Sequence, residues 1–166
     1  PIPDIYVATL GKSLGAAGAF VAGDEDLIEF LIQRARSWVF STAPPPAIAA
    51  AARRALQLVQ TEPERRTQLT ANIERFRTGA RALGIPLMTE NAAVATPIQP
   101  LLLGDAARAL QLSQFLFERG LWVAAIRPPT VPKNTSRLRV TFSAAHTPAQ
   151  IDRLLDVLAA GWKALS

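Results

Sequence analysis

The spacing of apolar residues changes character twice along the chain. Residues 5–23 hold two short apolar runs, Ile5-Tyr6-Val7-Ala8 and Ala19-Phe20-Val21-Ala22, around a segment broken by Gly11, Gly15 and Gly18. Glycines interrupting β-type runs predict strand, loop, strand. After Asp24 the period becomes helical, with Leu27, Ile28, Leu31, Ile32 and Ala35 on one face. Asp24 is placed to cap that helix, Glu25 and Asp26 fall in its first turn, and Arg34 and Arg36 in its last. Pro44-Pro45-Pro46 then introduces a helix over residues 47–59. Thr61-Glu62-Pro63-Glu64 has the form of a capping box. It predicts a long helix with Leu69, Ile73, Phe76, Ala80 and Leu83 in a stripe, stopped by Gly84 and Pro86.

The second half mixes the two periods. Residues 87–90, 96–103, 121–126 and 138–142 read as strands. Asp105 caps a helix carrying Leu110, Leu112, Phe115 and Leu116, closed by Gly120. Thr147 with Gln150 forms a second capping-box pattern, ahead of a helix striped by Ile151, Leu154, Leu155 and Leu158. Residues 85–166 therefore read β-β-α-β-β-α, a small sheet with helices on one face.

Composition narrows the chemistry. Of 166 residues, 49% are apolar and 19% charged, enough to bury a core. There is no cysteine, which removes disulfides, thiolate metal sites and cysteine nucleophiles, and a single histidine removes any histidine cluster. The net charge of +5 comes with arginines scattered along helices and no aromatic–basic interleave, so no nucleic-acid motif is present. No apolar run approaches the roughly 18 residues of a membrane helix. The chain opens without methionine or a signal-like segment, and Ile5, Val7 and Thr9 alternate like the middle of a strand. The expectation is that further residues once preceded Pro1.

Three places could carry chemistry. Lys12 sits in the glycine-rich loop after the first strand, where partial desolvation would make its amine a Schiff-base nucleophile; the plainer alternative is a solvated loop lysine. Gly11-Lys12-Ser13 ends like a phosphate-binding P-loop, but Tyr6 stands where that motif needs glycine. Gly11-Lys12-Ser13-Leu14-Gly15 also matches a nucleophile elbow with His146 downstream, which would need strand, turn and helix in succession. Ser41 and Thr42 offer hydroxyls near a helix start, suited to a phosphate or to simple capping. In Arg137-Leu138-Arg139-Val140-Thr141-Phe142, a strand would put Arg137, Arg139 and Thr141 on one face, where guanidiniums could fork a carboxylate or merely face water.

Taken together these segments resemble one family. Thr9-Leu10-Gly11-Lys12-Ser13-Leu14-Gly15, Phe40-Ser41-Thr42-Ala43-Pro44-Pro45, Ala125-Ile126-Arg127-Pro128-Pro129-Thr130-Val131-Pro132 and the stretch from Arg137 to His146 are similar to segments of the α-oxoamine synthases, pyridoxal-phosphate (PLP) enzymes of the aspartate-aminotransferase fold. The resemblance runs over essentially the whole chain. It implies an α/β fold: the C-terminal part of a PLP-dependent transferase, with the end of its large domain (1–60), a long connecting helix (61–84) and a small α+β domain (85–166). It implies that Lys12 holds pyridoxal 5'-phosphate and moves the amino acid's α-proton, with Thr9 a further cofactor contact and Thr42 reaching the phosphate in a neighbouring subunit. Arg139 matches the arginine that binds the amino-acid carboxylate, Thr130 a substrate position, and Arg127 a helper for the acyl donor. The run at Ile126 to Pro132 points to the biotin-pathway branch: L-alanine condensing with pimeloyl-CoA or a pimeloyl carrier protein, with loss of carbon dioxide, in a cytoplasmic homodimer binding neither nucleic acid nor membrane.

The family is more than twice this length. The segments that supply its ring-stacking histidine, its pyridine-pairing aspartate and much of its phosphate cup have no counterpart here. The 166 residues alone are therefore expected to be inactive, with residues 1–60 exposing apolar surface. Two alternatives stand beside this reading: another α-oxoamine synthase, joining glycine or serine to a different acyl-CoA, and a non-catalytic α/β interaction module.

Overall fold

A computed structural model describes residues 3–88 and 96–165. The chain divides into two compact units, residues 1–63 and 64–166.

In the first unit, β1 (Ile5–Thr9) and β2 (Ala19–Gly23) pair antiparallel, Ile5 opposite Gly23 and Thr9 opposite Ala19. Asp24 caps α1 (Glu25–Arg34) by accepting from the Asp26 N–H at 3.0 Å. That helix stops two residues short of Arg36: Ala35 is extended, and Arg36 opens a separate short helix, α2 (Arg36–Val39). α3 (Pro46–Thr61) begins on the prolines, whose fixed φ suits a first turn. Little of this unit is covered. Ile5, Tyr6, Val7, Trp38, Val39 and Phe40 are all exposed, Phe40 at 76%, and Ala52 alone is buried among its described residues. The expected exposure of apolar surface is present.

The second unit has a real core. α4 (Glu64–Ala82), β3 (Ile98–Gly104), α5 (Ala106–Phe117), β4 (Ala124–Ile126), β5 (Ser136–Thr141) and α6 (Pro148–Ala164) follow in order. The sheet is antiparallel, with β5 between β3 and β4. Pro100 and Ala124 flank Arg139; Leu102 and Ile126 flank Arg137. The side chains alternate as strand geometry requires. Leu101, Leu138 and Val140 are buried with Phe76 of α4, Leu112 and Leu116 of α5, and Ile151 and Leu158 of α6. Ile98, Leu102, Arg139 and Thr141 occupy the opposite, open face. Glycine lets helices approach closely: a Cβ on Gly79 would lie 2.3 Å from Leu155 Cδ1, and one on Gly161 2.7 Å from Leu112 Cδ1.

Several sequence expectations need correction. Thr61 does not cap α4; it is the last residue of α3, and its hydroxyl donates back to the Gln57 carbonyl at 2.9 Å. An N-cap must have extended backbone, and Thr61 is helical. The box at Thr147 does form: Thr147 Oγ1 accepts from the Gln150 N–H, and Gln150 Oε1 from the Thr147 N–H. Leu83 leaves the core because α4 ends at Ala82 and Gly84 turns the chain at φ +67°. Leu110 faces solvent. The strand expected over 121–126 shortens to β4, since the Leu121 N–H still closes α5 on the Leu116 carbonyl. Of the strand expected over 87–90, Leu87 bridges Leu101, and residues 89 and 90 lie outside the described residues.

Candidate active site

The chain presents expected site residues in both units. In the first, Lys12 sits in the loop joining β1 to β2. The loop is tied by Leu10 N–H to the Gly18 carbonyl (2.9 Å), Ala16 N–H to the Leu10 carbonyl (3.0 Å) and Gly15 N–H to the Lys12 carbonyl (2.9 Å). Gly15 and Gly18 take positive φ, +60° and +96°, which a side chain would resist. The backbone of Lys12 is thus fixed while its side chain is exposed. Of the two readings, the structure shows the solvated loop lysine: no described residue of this unit buries the amine. Thr9 ends β1 and is exposed too.

The nucleophile elbow fails here. Ser13 lies in a hairpin whose next element is strand β2, not a helix. His146 instead braces its own turn, its Nδ1 accepting from the Ser143 N–H at 3.1 Å. Thr42 lies in the segment between α2 and α3, not at a helix start. The N-cap of α3 is Pro45, with no side-chain cap, and prolines at 44, 45 and 46 carry no N–H. The three prolines thin out the backbone donors at that helix start, so the Ser41 and Thr42 hydroxyls gain weight in any anion contact there.

PLP needs an amine for its aldehyde and polar donors for its phosphate. The fixed turn carries an exposed primary amine, and Thr9, Ser13, Ser41 and Thr42 of this unit carry hydroxyls; these residue types suit the group. No group of three metal-ligating side chains occurs among the described residues.

In the second unit, β4, the loop after it and β5 form a cationic ribbon. Thr130 and Arg127 sit at the loop end, where the Thr130 N–H closes a turn on the Arg127 carbonyl at 3.1 Å; both side chains are exposed. Arg137 is half-buried and spends its Nε on the Thr135 carbonyl at 2.9 Å. Arg139, exposed, is the freer of the two strand arginines.

Arg139 also lines a groove of about 470 Å³ at the opposite end of β4. The walls are the 120–124 segment, the end of β5 and the first turns of α6. The 120–124 wall is held by Ser113, whose hydroxyl donates to the Val123 carbonyl at 2.6 Å. Trp122, Arg153, His146 and Gln150 join Arg139 there, and no lining residue is acidic. Arg127 and Thr130 do not line it. Sequence reasoning missed Trp122 and Arg153. The available signal was Trp122 itself, the outward residue between inward Leu121 and Val123.

Comparison with known proteins adds the context. The sequence pattern of the family "Aminotransferase class I and II" matches residues 1–158. The chain is similar to 8-amino-7-oxononanoate synthase of Thioalkalivibrio sulfidiphilus, 58% identical over 93% of this chain and 38% of that protein. Its fold superposes on 8-amino-7-oxononanoate synthase from Francisella tularensis with TM-score 0.83 at 32% identity, over 96% of this chain and 46% of that one. It superposes also on serine palmitoyltransferase from S. paucimobilis with a bound PLP–myriocin aldimine, TM-score 0.87 at 31% identity, over 98% and 40%. The chain thus spans 38% to 46% of the length of these relatives.

Proposed function

We propose that this chain, which belongs to the class I and II aminotransferase family, is the lysine-bearing portion of an 8-amino-7-oxononanoate synthase. Its α/β fold is the one expected of part of a PLP-dependent transferase. The observation carrying the proposal is the likeness to synthases of that name along nearly the whole chain, the Lys12 segment included. The reaction joins Cα of L-alanine to the carbonyl carbon of a pimeloyl thioester, expels the thiol and releases carbon dioxide. The whole enzyme would be a cytoplasmic homodimer; no described helix is long and apolar enough to cross a membrane.

Bound PLP supplies an electron sink next to the amino acid's Cα. The rest falls to the chain's own residues. Lys12 would hold the cofactor through Nζ, take the proton from alanine Cα and return it to the product. The tied hairpin restricts where that nitrogen can reach, which is the positioning a proton transfer needs. Thr9 would contact the cofactor, and Thr42 would donate its hydroxyl to the phosphate in the neighbouring subunit. Arg139 would grip the alanine carboxylate through paired N–H groups until it leaves. Thr130 would contact substrate, and Arg127 would assist the acyl donor.

Borohydride reduction of protein expressed from its full reading frame in the presence of PLP, followed by peptide mass mapping, tests this directly. The chain has three lysines, Lys12, Lys133 and Lys163, so the map is unambiguous. A reduced adduct on Lys12 is expected; none, or one on another lysine, overturns the assignment. A rival substrate pairing, serine or glycine with another acyl-CoA, draws on the likeness to serine palmitoyltransferase. Turnover with serine and palmitoyl-CoA, but not with alanine and a pimeloyl thioester, would favour that rival.

A further inference from the structure

The groove beside β5 is lined by more than Arg139. It holds a second guanidinium. Arg153, on the second turn of α6, donates Nη2 to the Arg119 carbonyl at 2.7 Å. That bond parks the guanidinium over Gly120, where a Cβ would lie 3.3 Å from Nη2. Gly120 also has φ +75°, so glycine is favoured there twice over. Arg153 is anchored along one edge and lines the groove together with Arg139.

The groove that both cations line mixes polar Thr141, His146 and Gln150 with apolar side chains. Leu121, Trp122, Phe142 and Leu154 are among the apolar ones. Trp122 offers the groove a broad apolar ring face with a polar N–H at its edge. A groove with an arginine from each of two elements, apolar lining side chains and no carboxylate fits a particular shape of ligand. It fits a methylene chain carrying negative charge at its far end. Its volume is within the range of small-molecule sites, roughly 300–1,000 Å³.

We propose that this groove is the acyl-donor specificity site: Arg153 binds the distal carboxylate of a dicarboxylic acyl donor, and Trp122 covers its methylene chain. The proposal rests on the reading of the chain as a pimeloyl-using synthase and deepens it. Arg139 would take the amino-acid carboxylate and Arg153 the far end of the donor, with Trp122 and the other apolar lining side chains along its methylenes. A fatty acyl donor of equal length would leave Arg153 without its partner and so lose affinity.

The test uses protein expressed from the full reading frame, with pimelate and heptanoate as probes at constant ionic strength. Pimelate should bind saturably and perturb tryptophan fluorescence. Arg153→Gln should weaken pimelate on the order of tenfold to a hundredfold, the range for a lost hydrogen bond to a charged group. Arg153→Lys should retain part of the affinity, which a merely misfolded variant would not. Heptanoate should be indifferent to both changes, whereas Trp122→Ala should weaken both acids together. In turnover, Arg153→Gln should raise KM for the pimeloyl thioester, leave KM for alanine unchanged, and narrow the preference for pimeloyl over heptanoyl thioester. An unchanged preference and unchanged pimelate affinity would overturn the proposal, as would a wild-type protein that fails to bind pimelate. Pimelate binding through Arg153 in a protein that does not condense alanine with a pimeloyl thioester would instead sink the functional reading and leave the site standing.

Discussion

Asn72 of α4 donates its Nδ2 to the carbonyl of His146 at 2.8 Å and to that of Ser143 at 3.0 Å. Its Oδ1 accepts from Gln68 Nε2 at 3.0 Å, and the residue is 2% exposed. One buried amide therefore holds the turn between β5 and α6, the turn from which His146 reaches the groove.

Asn72→Asp should be among the more damaging changes in the second unit. It replaces a donor with an acceptor facing two carbonyls, so both lose their partner and a buried carboxylate is added. Leaving buried polar groups unsatisfied costs about 1–3 kcal/mol each, more where charge is involved. Urea unfolding should show a clear loss, larger for Asn72→Asp than for Asn72→Ala. Equal stability of wild type and Asn72→Asp would show that the turn does not depend on this amide.

Gly161 marks the crossing of α5 and α6. A branched side chain there would enter the space of Leu112 Cδ1 and the Phe115 ring, at 2.7 and 2.8 Å from the first added carbon alone. Gly161→Val should destabilise by about 1–3 kcal/mol, the usual range for overpacking. Thermal unfolding measures it. A double change, Gly161→Val with Leu112→Ala, should cost less than the sum of the two single changes if the clash is the cause.

Arg75 of α4 and Asp152 of α6 form a two-pronged pair, Nε to Oδ1 at 2.7 Å and Nη2 to Oδ2 at 2.6 Å. Hydrogen bonding to the guanidinium is the main cause that holds the Asp152 carboxyl below its ordinary value; desolvation opposes it, and the guanidinium's charge adds a lesser push in the same direction as the hydrogen bond. A carboxyl lowered on folding contributes stability that is fully present above its unfolded pKa, about 4. That contribution is lost as the pH falls through the lower folded value. Asp152→Asn should therefore flatten the acid side of the stability profile and change little near neutrality. Both side chains are 48% exposed, so the effect should be small and should shrink in high salt. An acid limb unaltered by the substitution would show that the pair contributes nothing.

Arg139→Lys preserves charge but removes the planar fork. If Arg139 grips the alanine carboxylate, this change should raise KM for alanine by about tenfold, from the loss of one charge-assisted hydrogen bond. KM for the acyl donor should stay near its wild-type value. Steady-state kinetics with each substrate varied in turn separates this outcome from the one expected at Arg153, where the donor is affected instead.

Much of this molecule follows from local rules that a linear reading captures. The switch from β to helical period at Asp24, the caps at Asp24, Asp105 and Thr147, and the inward Leu138 and Val140 against outward Arg139 and Thr141 all depend on near neighbours in the chain. Lys12 stood out for a similar reason, because glycines on both sides announce a tight turn. Where two local signals competed, sequence alone could not choose. Thr61 and Thr147 carry the same kind of capping pattern. Only Thr147 uses it, because α3 runs on through Thr61 and keeps that residue helical.

The groove was decided by tertiary structure alone. Trp122, Arg139 and Arg153 come from a loop, a strand and a helix separated along the chain. Antiparallel pairing sets Ala124 beside Arg139, and the packing of α6 on α5 brings Arg153 over Gly120. Periodicity records which face of its own element a residue occupies. It carries no information on which other element that face will meet, because that depends on strand register and helix packing across the whole core.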